Sequence, residues 1–223
     1  MVKIGMILFE AMTQLDLTGP LEVFARFPET KIYLLAKNTE PVSTGSGLTI
    51  IPDTTFENCP RELTVLFVPG GPGVSGVLKD PVCLDFIRSR STSTYITSVC
   101  TGSLILAACG LLNGFRATTH WLSMDLLKRF GVEAVNERVV VDSNRITGAG
   151  VTSGIDFGLT LCAILFGEQK AKEIQLMLEY NPQPPFSSGH PSQADEEMLT
   201  RILDNRKESQ QQRLEEIDKF LLR

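Results

Sequence analysis

The sequence predicts an α/β fold in which a mostly parallel sheet carries helices on both faces. Two observations predict it. Short β-rich apolar runs alternate with longer segments of helical pattern along most of the 223 residues, the order that brings successive strands parallel through crossover helices. The strand candidates are also apolar almost continuously rather than at every second position, as strands buried on both faces are.

Taken in order, residues 3–9 read as the first strand. Leu15-Asp16-Leu17-Thr18-Gly19-Pro20 follows. Pro20 suits a first helical turn with Thr18 or Gly19 as N-cap, so a helix is expected over 20–27. Residues 31–36 and 64–68 are the next strands, the second stopped by Pro69-Gly70-Gly71-Pro72-Gly73. A helix over 81–90 leads to a strand at 94–99, and helical patterns follow at 103–112 and 123–130. A strand at 138–141 precedes helices at 154–166 and 170–180. The Pro- and Ser-rich stretch 181–191 breaks the helical pattern and reads as an extended crossing segment. Beyond it the chain is highly charged, with an apolar stripe of Leu199, Ile202 and Leu203, then Leu214, Ile217, Phe220 and Leu221, which predicts a long surface helix. The expected division is one α/β domain over residues 1–193, with residues 194–223 a C-terminal helical arm of the same domain.

Composition narrows the function. Apolar residues make up 43% and charged residues 21%, an average balance for a folded domain and not that of a disordered chain or a disulfide scaffold. Lys and Arg number 21 against 26 Asp and Glu, a net charge of −5, so no nucleic-acid partner is expected. The N-terminal apolar run is too short for a signal peptide. Residues 91–115 carry no charge, but Ser, Thr and Asn interrupt them and they divide into a strand-like and a helix-like half, so no membrane span is expected. Five cysteines, an odd number without a CxxC pair, point to the reducing cytoplasm. His120 and His190 are the only histidines, which excludes a His-rich metal site.

One segment carries the chemistry. Tyr95-Ile96-Thr97-Ser98-Val99-Cys100-Thr101-Gly102-Ser103-Leu104 is an apolar strand running into a Cys, a tight Thr-Gly and an apolar helix. That is the context of a nucleophile elbow, with S-x-C-x-G in place of G-x-S-x-G. The free N–H groups of the following helix are expected to favour the thiolate and lower its pKa. Cys109 and Cys162 lie in apolar helical stretches, and Cys59 and Cys83 have no activating neighbour in sequence. Gly70-Gly71 ends a buried strand, where a bare N–H suits a developing negative charge, although Gly-Gly-Pro-Gly also makes an ordinary tight loop. Asp16 reads equally as a helix cap or as a partly desolvated, proton-bearing acid at the carboxyl edge of the sheet.

Together these motifs resemble the ThiJ/PfpI superfamily (class I glutamine amidotransferase-like), and within it the isonitrile-hydrating branch. The resemblance runs through Gln14-Leu15-Asp16-Leu17-Thr18-Gly19-Pro20, Val68-Pro69-Gly70-Gly71, the Cys100 elbow, Arg116-Ala117-Thr118-Thr119-His120-Trp121, the stretch from Gly148 to Asp156, and Leu178-Glu179-Tyr180. It implies a flavodoxin-like fold and a homodimer. Cys100 is implied as nucleophile, Asp16 as the acid hydrogen-bonded to it, and the Gly71 and Thr101 N–H groups as donors at the reacting centre. His120 falls where relatives approach the cysteine, and a structural histidine beside Trp121 is the other reading. The implied reaction turns a small-molecule isonitrile into an N-substituted formamide through a thioimidate-like intermediate, with no metal or organic cofactor. Two departures matter. PfpI-type peptidases carry His directly after the cysteine, where this chain has Thr101, so a Cys–His pair is missing there. Glyoxalase- and deglycase-like relatives place Glu where this chain has Asp16. A cofactor-free glyoxalase and a ligand- or redox-sensing binding module are the alternatives.

Overall fold

A computed structural model describes residues 1–222. Strand β1 (Val2–Ile7) leads to helix α1 (Gln14–Phe24) and strand β2 (Thr30–Ala36). The short strands β3 (Val42–Ser43), β4 (Thr49–Ile50) and β5 (Thr54–Thr55) follow, then β6 (Val65–Val68), α2 (Val74–Val77), α3 (Pro81–Ser89) and β7 (Tyr95–Val99). The second half runs α4 (Gly102–Ala108), β8 (Arg116–Ala117), α5 (Met124–Arg129), β9 (Glu133–Ala134), β10 (Val139–Asp142), β11 (Arg145–Gly148), α6 (Ser153–Phe166), α7 (Glu168–Met177) and α8 (Glu196–Leu221).

The main sheet has the order β10-β11-β7-β6-β1-β2-β5, parallel throughout except where β10 turns back antiparallel along β11. Two helix groups cover it, α1 with α6 and α7, and α2 to α5 around α4. The mostly parallel α/β architecture is therefore as the alternation of the sequence predicts. Phe24, Phe67 and Phe157 meet at centroid distances of 5.6 to 6.0 Å between sheet and helices, within the range aromatic pairs favour.

Besides the short elements β3, β4, β5, β8, β9 and α2, which the sequence does not predict, three differences bear on the site. Strand β11, the direct neighbour of β7, is absent from the predicted strands: Arg145-Ile146-Thr147-Gly148 has one large apolar residue and too few positions for a pattern. A turn at Ser143, whose φ is 54°, folds it back on β10. Helix α1 starts at Gln14 rather than Pro20, with Thr13 in the cap position. Neither Thr18 nor Gly19 is the N-cap; Thr18 Oγ1 instead donates to Gln14 Oε1, one turn back, at 2.8 Å. Pro20 is tolerated inside the helix because its ring packs against Gly154 of α6, where any Cβ would crowd it, so tertiary packing overrides the usual preference for a first turn. Helix α4 ends at Ala108, not 112, with Gly110 at φ 73° just beyond, a left-handed stop.

Parallel pairing aligns the strand ends that matter. Val68 pairs with Ser98 and Gly148 with Val99, so the turns after β1, β6, β7 and β11 open on one edge, where ligands of open α/β sheets bind. No helix among the described residues is long and apolar enough to cross a membrane.

Candidate active site

Cys100 occupies the turn between β7 and α4 with φ at 58°, a left-handed conformation that costs a side-chain-bearing residue about 1–3 kcal/mol. Its surroundings hold it there. The Cys100 N–H donates to the carbonyls of Gly148 at 3.0 Å and Ala149 at 2.8 Å. Its own carbonyl accepts the hydroxyls of Ser103 at 3.1 Å and Thr119 at 3.0 Å. Gly102 must lack a side chain, because a Cβ would overlap the carbonyl of Val68.

Asp16 lies in the first turn of α1 and is fully buried. It does not cap that helix. Its Oδ2 accepts the Gly70 N–H from the turn after β6 at 3.0 Å. The Cys100 thiol interacts with the same carboxyl, while Oδ1 completes no hydrogen bond of full geometry. Asp16 therefore keeps one buried oxygen without a hydrogen-bond partner among the described residues. Burial pushes Asp16 up to about 7, against the opposing pull of the Cys100 thiol and the Gly70 N–H.

The expectation that the helix end lowers the Cys100 pKa is overturned. Burial pushes the thiol up, the Asp16 charge pushes it further, and the Thr101 N–H and hydroxyl offset only part of this. A seven-residue helix contributes too little against desolvation. Burial thus pushes both groups toward their protonated forms.

Gly71 takes φ of 138°, and a Cβ on it would overlap the backbone of Thr13 and Met12. Its N–H is already engaged, donating to Thr101 Oγ1 at 2.9 Å. The Thr101 hydroxyl has the Gly71 carbonyl at 3.4 Å. The Gly71 N–H is therefore engaged rather than free, and the Thr101 N–H and hydroxyl pull the Cys100 pKa down. His120 is held differently: its Nδ1 accepts the Leu122 N–H at 3.3 Å, and its ring lies 6.0 Å from that of Trp121. Burial, then the charges of Arg213 and Arg206, lower its pKa. It lines a cleft of about 940 Å³ together with Thr119, Ala149, Gly150 and the 182–193 segment. Cys100 is not on that lining; Thr119 and Ala149, which bond its backbone, are.

The chain matches the DJ-1/PfpI family over residues 2–164. It belongs to the DJ-1/PfpI family. An isonitrile hydratase of Pseudomonas putida is 52% identical over 194 residues, 86% of this chain and 85% of that protein. A glutathione-independent glyoxalase, DJR-1.2 of Caenorhabditis elegans, is 26% identical over 146 residues, 65% of this chain and 78% of its own. The crystal structure of a ThiJ/PfpI family protein from Pseudomonas syringae superimposes with a TM-score of 0.93 at 44% identity, covering 98% of this chain and 90% of that one.

In this member of the DJ-1/PfpI family, the fold brings Cys100, Asp16, Gly71 and Thr101 together from three different turns. His120 stands one residue from Thr119, which clamps the elbow. Ser103 and Thr119 were not singled out by sequence. A hydroxyl at the start of a helix and one in a Thr-Thr pair look like ordinary capping residues until the strained Cys100 carbonyl is placed between them. The other cysteines are all buried, and burial pushes Cys83 and Cys109 up to about 12.

Proposed function

We propose that the chain hydrates an isonitrile to an N-substituted formamide, with Cys100 as nucleophile and Asp16 as the group that moves the proton. The observation that carries this reading is the 52% identity to the Pseudomonas putida isonitrile hydratase across most of both chains. The site supports it chemically. With the proton on Asp16, the Cys100 thiolate, steadied by the Thr101 N–H, adds to the terminal carbon of R–N≡C. That carbon takes the Asp16 proton and gives the thioimidate R–N=CH–S–Cys100. Asp16, now a carboxylate, takes a proton from water as its oxygen adds to the same carbon, and passes it to the nitrogen. The C–S bond then breaks, the remaining hydroxyl proton returns to the Cys100–Asp16 pair, and R–NH–CHO leaves. A carboxyl whose pKa is lifted to about 7 is matched to both directions of transfer near neutral pH.

Side-by-side turnover tests the reading. An isonitrile should be turned over at a kcat/KM at least about 100-fold above that for methylglyoxal, a preference that corresponds to nearly 3 kcal/mol of transition-state discrimination. Preference for methylglyoxal would replace this reading with the glyoxalase one, and saturable binding without turnover of either would favour a sensing module.

We also propose a homodimer in the cytoplasm. Helix α8 supports the dimer: Leu214, Ile217 and Phe220 pack on the core, while Leu203 remains 46% exposed near its other end, free to join an isologous contact. Light scattering at micromolar concentration should give twice the 24.5 kDa chain mass; a single chain mass would refute the dimer.

A further inference from the structure

The cleft of about 940 Å³ beside the elbow is far larger than an isonitrile group needs, and its size is that of pockets enclosing a whole small organic molecule. Its wall is joined to the nucleophile by two hydrogen bonds. The Thr119 hydroxyl donates to the Cys100 carbonyl at 3.0 Å, and the Ala149 carbonyl accepts the Cys100 N–H at 2.8 Å. Thr119 and Ala149 both line the cleft. The family match ends at residue 164, so Tyr180 and the 182–193 segment, which form another part of the lining, lie outside it.

Two features of the lining say what it fits. Trp121, Val151, Ile155, Pro182, Pro184 and Pro191 contribute apolar surface, and Trp121 and Ile155 are only half-buried, which leaves part of each for a ligand to cover. The charges, by contrast, are spent. Arg138 is held by Asp156 at 2.6 Å, Asp156 also accepts the Tyr180 hydroxyl at 3.0 Å, and Glu137 pairs with Arg116 at 3.3 Å. A charged ligand would lose hydration there without gaining a free counter-ion. His120 supplies an uncharged donor. Its Nδ1 accepts the Leu122 N–H at 3.3 Å, so the proton of the neutral ring sits on Nε2, on the edge that lies against Gly150 of the same wall.

We propose, on the isonitrile reading of the site, that this cleft receives the N-substituent of the substrate and selects one that is bulky, apolar and uncharged. The N≡C group is linear and slender. The substituent therefore stays among Trp121, Val151 and Ile155 while the terminal carbon reaches past Thr119 and Ala149 to the sulfur. The formamide product carries the same substituent and a carbonyl oxygen that suits the His120 Nε2–H.

Trp121 is the one tryptophan of the chain, so its fluorescence reports on the cleft, and N-substituted formamides probe it without turnover. N-formylleucine methyl ester should change the emission and bind at least about tenfold more tightly than N-formylleucine, which carries a carboxylate instead. In turnover, kcat/KM for cyclohexyl isonitrile should exceed that for methyl isonitrile by at least about tenfold, a buried ring against a single methyl. Trp121→Ala should cut that ratio to within about threefold; if it does not fold, Trp121→Leu is read in the same way. Equal binding of ester and acid overturns the proposal, as does calorimetric binding of the ester with no change in Trp121 emission. So does a Trp121 variant that keeps the full ratio. The two claims fail separately. Turnover of both isonitriles at equal kcat/KM sinks this assignment and leaves the isonitrile reading standing. No turnover of either, with the ester bound as expected, sinks that reading and leaves the cleft as a site for bulky, neutral ligands.

Discussion

Cys100→Ala is expected to leave no measurable isonitrile hydration. Among the described cysteines Cys100 is the one that stands beside the buried Asp16 carboxyl, so no other thiol is placed to take over the C–S bond. Folding should survive. Alanine keeps the Cβ and the backbone bonds from Cys100 to Gly148, Ala149, Ser103 and Thr119, and the lost sulfur is comparable to one buried methylene, about 1 kcal/mol. A far-ultraviolet melt matched to the wild type would establish that the loss is chemical. Residual turnover within a hundredfold of the wild type would remove Cys100 from the mechanism.

Asp16→Asn should move activity and stability in opposite directions. Asn can still accept the Gly70 N–H but cannot carry the transferred proton, and general acid–base catalysis is typically worth about 10²–10⁴-fold. Stability follows from the raised pKa. Asp16 titrates near 3.8 when unfolded and at about 7 when folded, so between these values the native state binds the extra proton. Wild-type stability from this group is fully present below about pH 4 and falls as pH rises to about 7. Above that, the buried carboxylate charge costs up to about 4 kcal/mol. Asp16→Asn never pays that cost, so its melting temperature should exceed that of the wild type at pH 8, with the difference closing on acidification to pH 4. A variant less stable than wild type at pH 8 would mean that Asp16 mainly holds the α1 end in place. If rate also survived within a few-fold, the next acid to test would be His120, by His120→Ala.

Much of this site was legible before the fold was known. A strand, a Cys, a Thr-Gly and an apolar helix describe the β7–Cys100–α4 turn, because a nucleophile elbow is local and its residues are contiguous. The position of Asp16 at the same edge followed from strand order. Its role did not, because Thr18, Gly19 and Pro20 are good helix-starting residues and drew the helix boundary past it. Helix α1 instead begins at Gln14 and carries Asp16 inward, with Pro20 packed against Gly154, a residue distant in sequence. Strand β11 was missed for the opposite reason: Arg145–Gly148 is too short to show a pattern and is made a strand by its pairing with β7. The balance at sulfur was also out of reach. The helix end is visible in sequence, but the burial that outweighs it belongs to the whole fold.

The covalent step is the central claim, and intact-mass spectrometry after rapid quenching tests it most directly. Addition of a thiol across an isonitrile has no leaving group, so the wild-type chain mixed with an isonitrile should gain the full mass of that isonitrile, the label should map to Cys100, and it should disappear as formamide accumulates. Asp16→Asn should change the amount and lifetime of the adduct, and Cys100→Ala should show none. Formamide production with no Cys100 adduct at any quench time, or an adduct of equal yield on Cys100→Ala, would contradict the account.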